Sequence, residues 1–192
     1  MPRVQVVYAS RHGGTAGIAE RIAEVLRSEG LDTVIADAAS RPDPSGYDAH
    51  VIGSAVYTGS WLKEAIQFIE ANERVLATRP VWLFSSGPLP GSTKETGAVD
   101  PIELALGPEK GPGSGGRQRV AALSEIIQPR EHRVFRGAYD PNDPPQSLAE
   151  RFIRVMPGGK GILPEGDFRE WNAIETWAKG IAGELGALVP VG

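Results

Sequence analysis

Val4-Gln5-Val6-Val7-Tyr8-Ala9-Ser10-Arg11-His12-Gly13-Gly14-Thr15-Ala16-Gly17-Ile18-Ala19 is the stretch on which the reading of this chain turns. Residues 3–9 are an apolar run rich in β-branched valine, the pattern of a strand covered on both faces. Ile18, Ile22, Val25 and Leu26 then recur on one helical stripe, with Thr15 near the expected cap and Gly30 placed to end the helix. Between strand and helix lies a short turn of small and polar residues. The first N–H groups of a helix have no partner within it and carry the positive end of its dipole, so such a turn suits an anion. Ser10 and Thr15 add hydroxyls, Arg11 and His12 add potential charge, and Gly13 and Gly14 let a ligand approach the backbone.

The totals bound what that anion site can serve. A chain of 192 residues forms one good-sized core, and 41% hydrophobic with 23% charged content is ordinary for a globular protein. We therefore expect a single domain over 1–192. A net charge of −4 with both signs interspersed gives no support to nucleic-acid binding. The absence of cysteine excludes disulfides, thiol redox chemistry and cysteine-ligated metals. His12, His50 and His132 are isolated, at no ligand-like spacing, so no metal site is expected. No apolar run reaches the ~20 residues of a membrane span and no leader pattern opens the chain, which makes a cytoplasmic protein the expectation. Peripheral contact with a membrane is left open.

Further strands are expected around 33–36, 47–54, 80–87 and 133–139, and further helices after 61, around 120–127, around 148–155 and from a cap at Asp167 onward. The residues Asp167-Phe168-Arg169-Glu170 have the spacing of a reciprocal helix cap, and Ile174, Ala178, Ile181 and Leu185 form the buried stripe of the last helix. A long irregular insertion at about 90–116 ends in Gly111-Pro112-Gly113-Ser114-Gly115-Gly116. Strands alternating with helices imply a parallel sheet with helices on both faces. In such sheets ligands bind beyond the carboxyl ends of the strands. Three loops leave that edge with unusual composition: 10–15, 54–61 and 85–91.

Four phosphate or nucleophile templates fail. The spacing G-x-G-x-x-G is missing after the first strand, and no Lys-Ser or Lys-Thr closes a nucleotide P-loop. Neither Gly53-Ser54-Ala55 nor Ser85-Ser86-Gly87 is a G-x-S-x-G elbow. A phospho-acceptor receiver needs an aspartate ending the third strand, where this chain has Gly53 and Ser54.

The turn Ser10-Arg11-His12-Gly13-Gly14-Thr15 resembles the first loop of the flavodoxin superfamily, S/T-x-T/S-G-x-T, at Ser10, Gly13 and Thr15. The stretches Ile52–Trp61 and Phe84–Leu89 look like the branch that includes menaquinone-dependent protoporphyrinogen oxidase, an enzyme class of heme biosynthesis. The resemblance implies a flavodoxin-like three-layer α/β sandwich, with a five-stranded parallel sheet in the order 2-1-3-4-5. It implies non-covalent FMN, its phosphate held by residues 10–15 and its ring walled by Ser54, Ala55, Val56, Tyr57, Thr58 and Gly59 and by Ser85, Ser86 and Gly87. Tyr57, and less so Trp61, would then stack on or edge the isoalloxazine. Thr58 and Gly59 fall where related proteins use a flexible peptide to meet N5–H of the reduced ring.

The functional expectation is an FMN-dependent oxidoreductase moving electrons to or from a quinone, a porphyrinogen-type substrate or a redox partner protein. The alternatives are an electron carrier without a substrate of its own, and a binding module that has lost its flavin. No motif for a nicotinamide is present. No acid–base pair is identified as catalytic. His50 enters a strand and is read as structural; Arg130, Glu131 and Arg133 are read as a solvated edge.

Overall fold

The computed structural model describes residues 1–57, 59–87, 115–139 and 166–188. The expected inserted helix at 148–155, most of the 90–116 insertion and Thr58 lie outside the described residues. Strand β1 (Arg3–Ala9) leads through the turn into α1 (Gly14–Ser28). Then follow β2 (Asp32–Asp37), β3 (Ala49–Tyr57), β4 (Ser60–Trp61), α2 (Lys63–Leu76) and β5 (Val81–Gly87). After these come α3 (Gly115–Ile127), β6 (Glu131–Arg136), β7 (Ala138–Tyr139), β8 (Gly166–Asp167) and α4 (Trp171–Leu188).

Five strands pair in parallel in the order β2-β1-β3-β5-β6. This is the 2-1-3-4-5 order of a flavodoxin-like three-layer sandwich. The alternation of side chains along each strand feeds two cores. Val4, Val6, Val51, Trp82 and Phe84 face α1 and α4, meeting Ile18, Ile22, Leu26, Ile174 and Ile181. Val7, Ile52, Val81 and Leu83 face α2 and α3, meeting Ile66, Ile69, Val120, Leu123 and Ile127. Each large side chain taken from water there contributes roughly 1.5–3 kcal/mol. Gly53 is glycine because a Cβ there would overlap the Phe84 ring on the neighbouring strand.

Helix ends follow local chemistry. α1 closes with Gly30 at φ 87°, its N–H bonded to Arg27 O and that of Leu31 to Leu26 O, the paired bonds of a left-handed glycine cap. Its start differs from expectation: the cap is Gly13, at φ 75°, and Thr15 lies buried in the first turn. The fifth strand is also divided. β6 ends at Arg136, and β7 leaves the main sheet to pair antiparallel with β8. α4 begins after Glu170 without the expected reciprocal cap, because the Asp167 carboxylate instead receives the Arg169 backbone N–H at 3.1 Å and its guanidinium. The edge residues of β6 do more than meet solvent: Glu131 accepts from Trp177 Nε1 at 2.6 Å and Arg130 pairs with Glu184 at 3.0 Å, tying that edge to α4. No helix among the described residues is long and apolar enough to cross a membrane.

Candidate functional site

The register of the sheet brings the three loops together. Ala9, at the end of β1, is opposite Ser54 on β3, and Ser54 is opposite Ser85 on β5. The segments that leave these positions therefore emerge side by side, beyond the carboxyl edge of the three central strands.

The first joins a left-handed glycine to the start of a helix. Gly13 takes a left-handed backbone at the cap of α1, with nothing within 4 Å of where a Cβ would stand. The first intrahelical bond runs from Gly17 N–H to Gly13 O, 2.9 Å, and Gly13, the cap residue, brings no side-chain bond to the first turn. Beside them the Ser10 hydroxyl is buried with no hydrogen-bond partner among the described residues. A buried hydroxyl without a partner is costly, and an oxyanion at the helix start would satisfy it. Gly14 has a different role from Gly13. A Cβ there would come within 3.2 Å of the backbone N and O of Ala138, so its bare Cα makes room for the β7 ribbon. Arg11 and His12 turn away from a purely phosphate-directed role: both lie at the Tyr57 ring, the Arg11 guanidinium 5.2 Å and the His12 ring 6.3 Å from its centroid.

The second segment is a hairpin rather than an irregular loop. β3 continues to Tyr57 and β4 folds back on it, pairing Tyr57 with Ser60 and Val56 with Trp61, with Gly59 at φ 73° in the turn. Tyr57 is half-buried at the tip. Trp61 is almost wholly buried and packs in the α2–α3 core, which removes it as a stacking surface. Its indole N–H donates to Ser85 Oγ at 2.8 Å, and the same hydroxyl is 2.9 Å from His132 Nε2 on β6. Ser54 is likewise committed: its Oγ donates to Ala55 O and accepts the Leu62 N–H, at 2.8 and 2.9 Å. Both serines thus fasten the hairpin to the sheet.

The third segment, Ser85, Ser86 and Gly87, closes β5, and the Gly87 carbonyl accepts from Gly137 N–H at 3.2 Å. Phe168 N–H donates in turn to Gly137 O at 3.2 Å, so the β7–β8 ribbon runs from the end of β5 across to Gly14. Arg169 follows that ribbon, held by Asp167 and stacked over Trp171 at 4.4 Å, in space left free by the bare Cα of Gly17. Nothing in the local sequence of Ala138 or Arg169 advertised their position against α1; their placement is a product of the tertiary fold. Among the described residues no group of three or more His, Asp or Glu side chains could hold a metal ion.

Residues 5–143 match the Flavodoxin domain family, and the chain belongs to it. Among solved structures it is similar to oxidised flavodoxin 2 from Bacillus cereus, at 17% identity and TM-score 0.57, over 95% of this chain and 99% of that one. It is also similar to the flavodoxin of Streptococcus pneumonia TIGR4, at 16% identity and TM-score 0.56, over 97% and 99% of the two chains. A third likeness is to rubredoxin oxygen:oxidoreductase from Desulfovibrio gigas, at 14% identity and TM-score 0.55, where 96% of this chain spans 36% of the other. These likenesses share the fold. The protoporphyrinogen oxidase branch is not distinguished by any of them.

Proposed function

We propose that this protein is an FMN-binding electron carrier of the flavodoxin type. The observation that supports this best is the buried hydroxyl of Ser10, without a hydrogen-bond partner among the described residues, just before the glycine-capped start of α1. A monophosphate would receive donors from Ser10, from the backbone N–H groups that follow Gly13, and from Thr15. When bound, FMN accepts and gives up one or two electrons, which is the redox chemistry the chain itself lacks. Tyr57 offers an aromatic wall at the hairpin tip, and Arg11 and His12 hold that wall against the first turn. Ser85, Ser86 and Gly87, at the carboxyl end of β5, would border the ring's pyrimidine side, where negative charge would develop.

A second reading, an oxidoreductase using a quinone or porphyrinogen, is supported by chain placement. The segments after Gly87 and after Tyr139 both begin at the carboxyl edge beside the three loops, where a substrate-covering element would have to start.

Titration of the purified protein with FMN tests the first reading: quenching of flavin fluorescence at one equivalent is expected. A colourless protein that leaves FMN fluorescence unchanged rejects it. Mixing the reduced, flavin-loaded protein with a quinone and, in its oxidised form, with protoporphyrinogen separates the readings; turnover of either favours the enzyme.

A further inference from the structure

We propose that Gly116, in the first turn of α3, is a positioning residue for the flavin site. Its missing side chain lets the helix seat directly on the Gly59 peptide and so fixes where the β3–β4 hairpin stands. This rests on the FMN reading above and concerns a residue outside the three loops.

A Cβ added at Gly116 would overlap the Gly59 carbonyl oxygen and stand 2.7 Å from its carbon and 2.8 Å from Ser60 Cα. All three are backbone atoms, so no rotamer change can relieve the overlap. The helix is poorly placed to retreat. Val120, Leu123 and Ile127 are buried in the core shared with Trp61, Leu62 and Ile66, and Arg119 pairs with Glu70 of α2 at 2.6 Å. From the other side, the hairpin is held to the sheet through Trp61 and Ser85. The Gly59 turn is thus gripped between α3 and β5. The glycine-rich run that ends at Gly115-Gly116 therefore ends as a backbone contact on the candidate flavin wall.

Gly115 provides the internal control. A Cβ there meets nothing within 4 Å. Alanine at either position gains the same helix propensity, so a difference between the two variants isolates the contact with Gly59. In Gly116→Ala the turn must shift relative to the sheet. In the free protein the shift costs stability, and bound flavin additionally needs the turn in place, so the overpacking also weakens the flavin complex.

The experiment compares wild type, Gly115→Ala and Gly116→Ala by amide NMR of the flavin-free proteins, FMN titration and spectroelectrochemistry. Expected are displaced Gly59 and Ser60 amide resonances and FMN affinity about tenfold weaker in Gly116→Ala alone, with shifted reduction potentials. Unmoved resonances in folded Gly116→Ala overturn the contact itself, even where wild type takes no FMN. Wild-type affinity and potentials in a Gly116→Ala protein whose resonances have moved overturn the positioning role. Should Gly116→Ala fail to fold, Arg119→Met, which loosens α3 without adding a Cβ, must move the same resonances and weaken FMN in the same direction. Unchanged values there overturn the proposal too. Failure of the FMN reading shows separately, as absent binding by wild type.

Discussion

The guanidinium of Arg11 lies over the ring of Tyr57, with Cζ 5.2 Å from the centroid, and thereby joins the turn after β1 to the hairpin after β3. His12 approaches the same ring at 6.3 Å and 42°. A cation over an exposed aromatic is worth about 0.5–1 kcal/mol. If the contact holds the site's wall in place, Arg11→Ala weakens FMN by roughly twofold to fivefold. Tyr57→Ala weakens it further, because the ring itself is removed. Fluorescence titration measures both. Equal affinities for wild type and Arg11→Ala mean that the stack is incidental to binding.

Ser10 permits a test that isolates the phosphate. Its hydroxyl is buried and without a partner among the described residues, so Ser10→Ala costs the flavin-free fold little or stabilises it slightly. In the complex the same change removes a hydrogen bond to a charged group, worth about 1.5–3 kcal/mol, and FMN affinity falls by at least about tenfold. Riboflavin lacks the phosphate and serves as the control. A Ser10→Ala protein that loses riboflavin and FMN equally contradicts this assignment.

His50 carries a prediction about pH. It is fully buried at the amino end of β3, and neither ring nitrogen has a hydrogen-bond partner among the described residues. Burial, aided by the nearby Arg79 charge, lowers its pKa from 6.5 to about 4. Above pH 6.5 the ring is neutral in both folded and unfolded chains and adds no pH dependence. As pH falls from 6.5 to about 4 the unfolded chain takes up the proton and the folded chain does not, so stability declines and then levels off. The loss is at most about 3 kcal/mol. Urea denaturation at several pH values should show it in wild type and not in His50→Leu. Asp43, held low by the Ser45 backbone and hydroxyl, and Asp167, held low by Arg169, act in a lower window. Their contribution is lost as pH falls below the ordinary carboxylate value of 3.8. An identical decline between pH 6.5 and 4 in the His50→Leu protein rules out His50 as its source.

Gly53→Ala is expected to destabilise without touching the ligand. The new methyl group overlaps the Phe84 ring, which itself packs against Phe135 and Trp177 at centroid distances of 6.2 Å. Overpacking of this kind costs about 1–3 kcal/mol. The denaturation midpoint should fall while FMN affinity, corrected for the folded fraction, stays near wild type.

The sheet was legible because each strand is a short apolar run and each helix repeats its stripe; Ile174, Ala178, Ile181 and Leu185 are all buried as expected. The strand order came from the resemblance at Ser10, Gly13 and Thr15, and pairing in the structure reproduces it. What the sequence obscured depends on contacts between distant segments. Tyr57-Thr58-Gly59-Ser60 carries no strong two-residue turn signal, so the β3–β4 hairpin reads as an irregular loop. Residues 133–139 read as one strand, since nothing local marks the departure at Gly137, where the N–H leaves to bond Gly87. Gly13 and Gly14 look equivalent in sequence. Only the Ala138 backbone, more than a hundred residues away, shows that one serves the turn's conformation and the other a close approach. Gly116 had a faint signal, as the second glycine of a pair closing a glycine-rich run.

Antiparallel pairing in the β7–β8 ribbon sets Tyr139 and Gly166, far apart in sequence, side by side. Through Gly137 the ribbon is tied to Gly87 at the end of β5, and Ala138 lies against Gly14 of α1. Lengthening a loop whose ends are already pinned costs only about 0.6 kcal/mol for each doubling. The ribbon is therefore a grafting port: a recognition segment of different length or chemistry can be spliced between its strands, beside the three loops, while the five parallel strands keep their register.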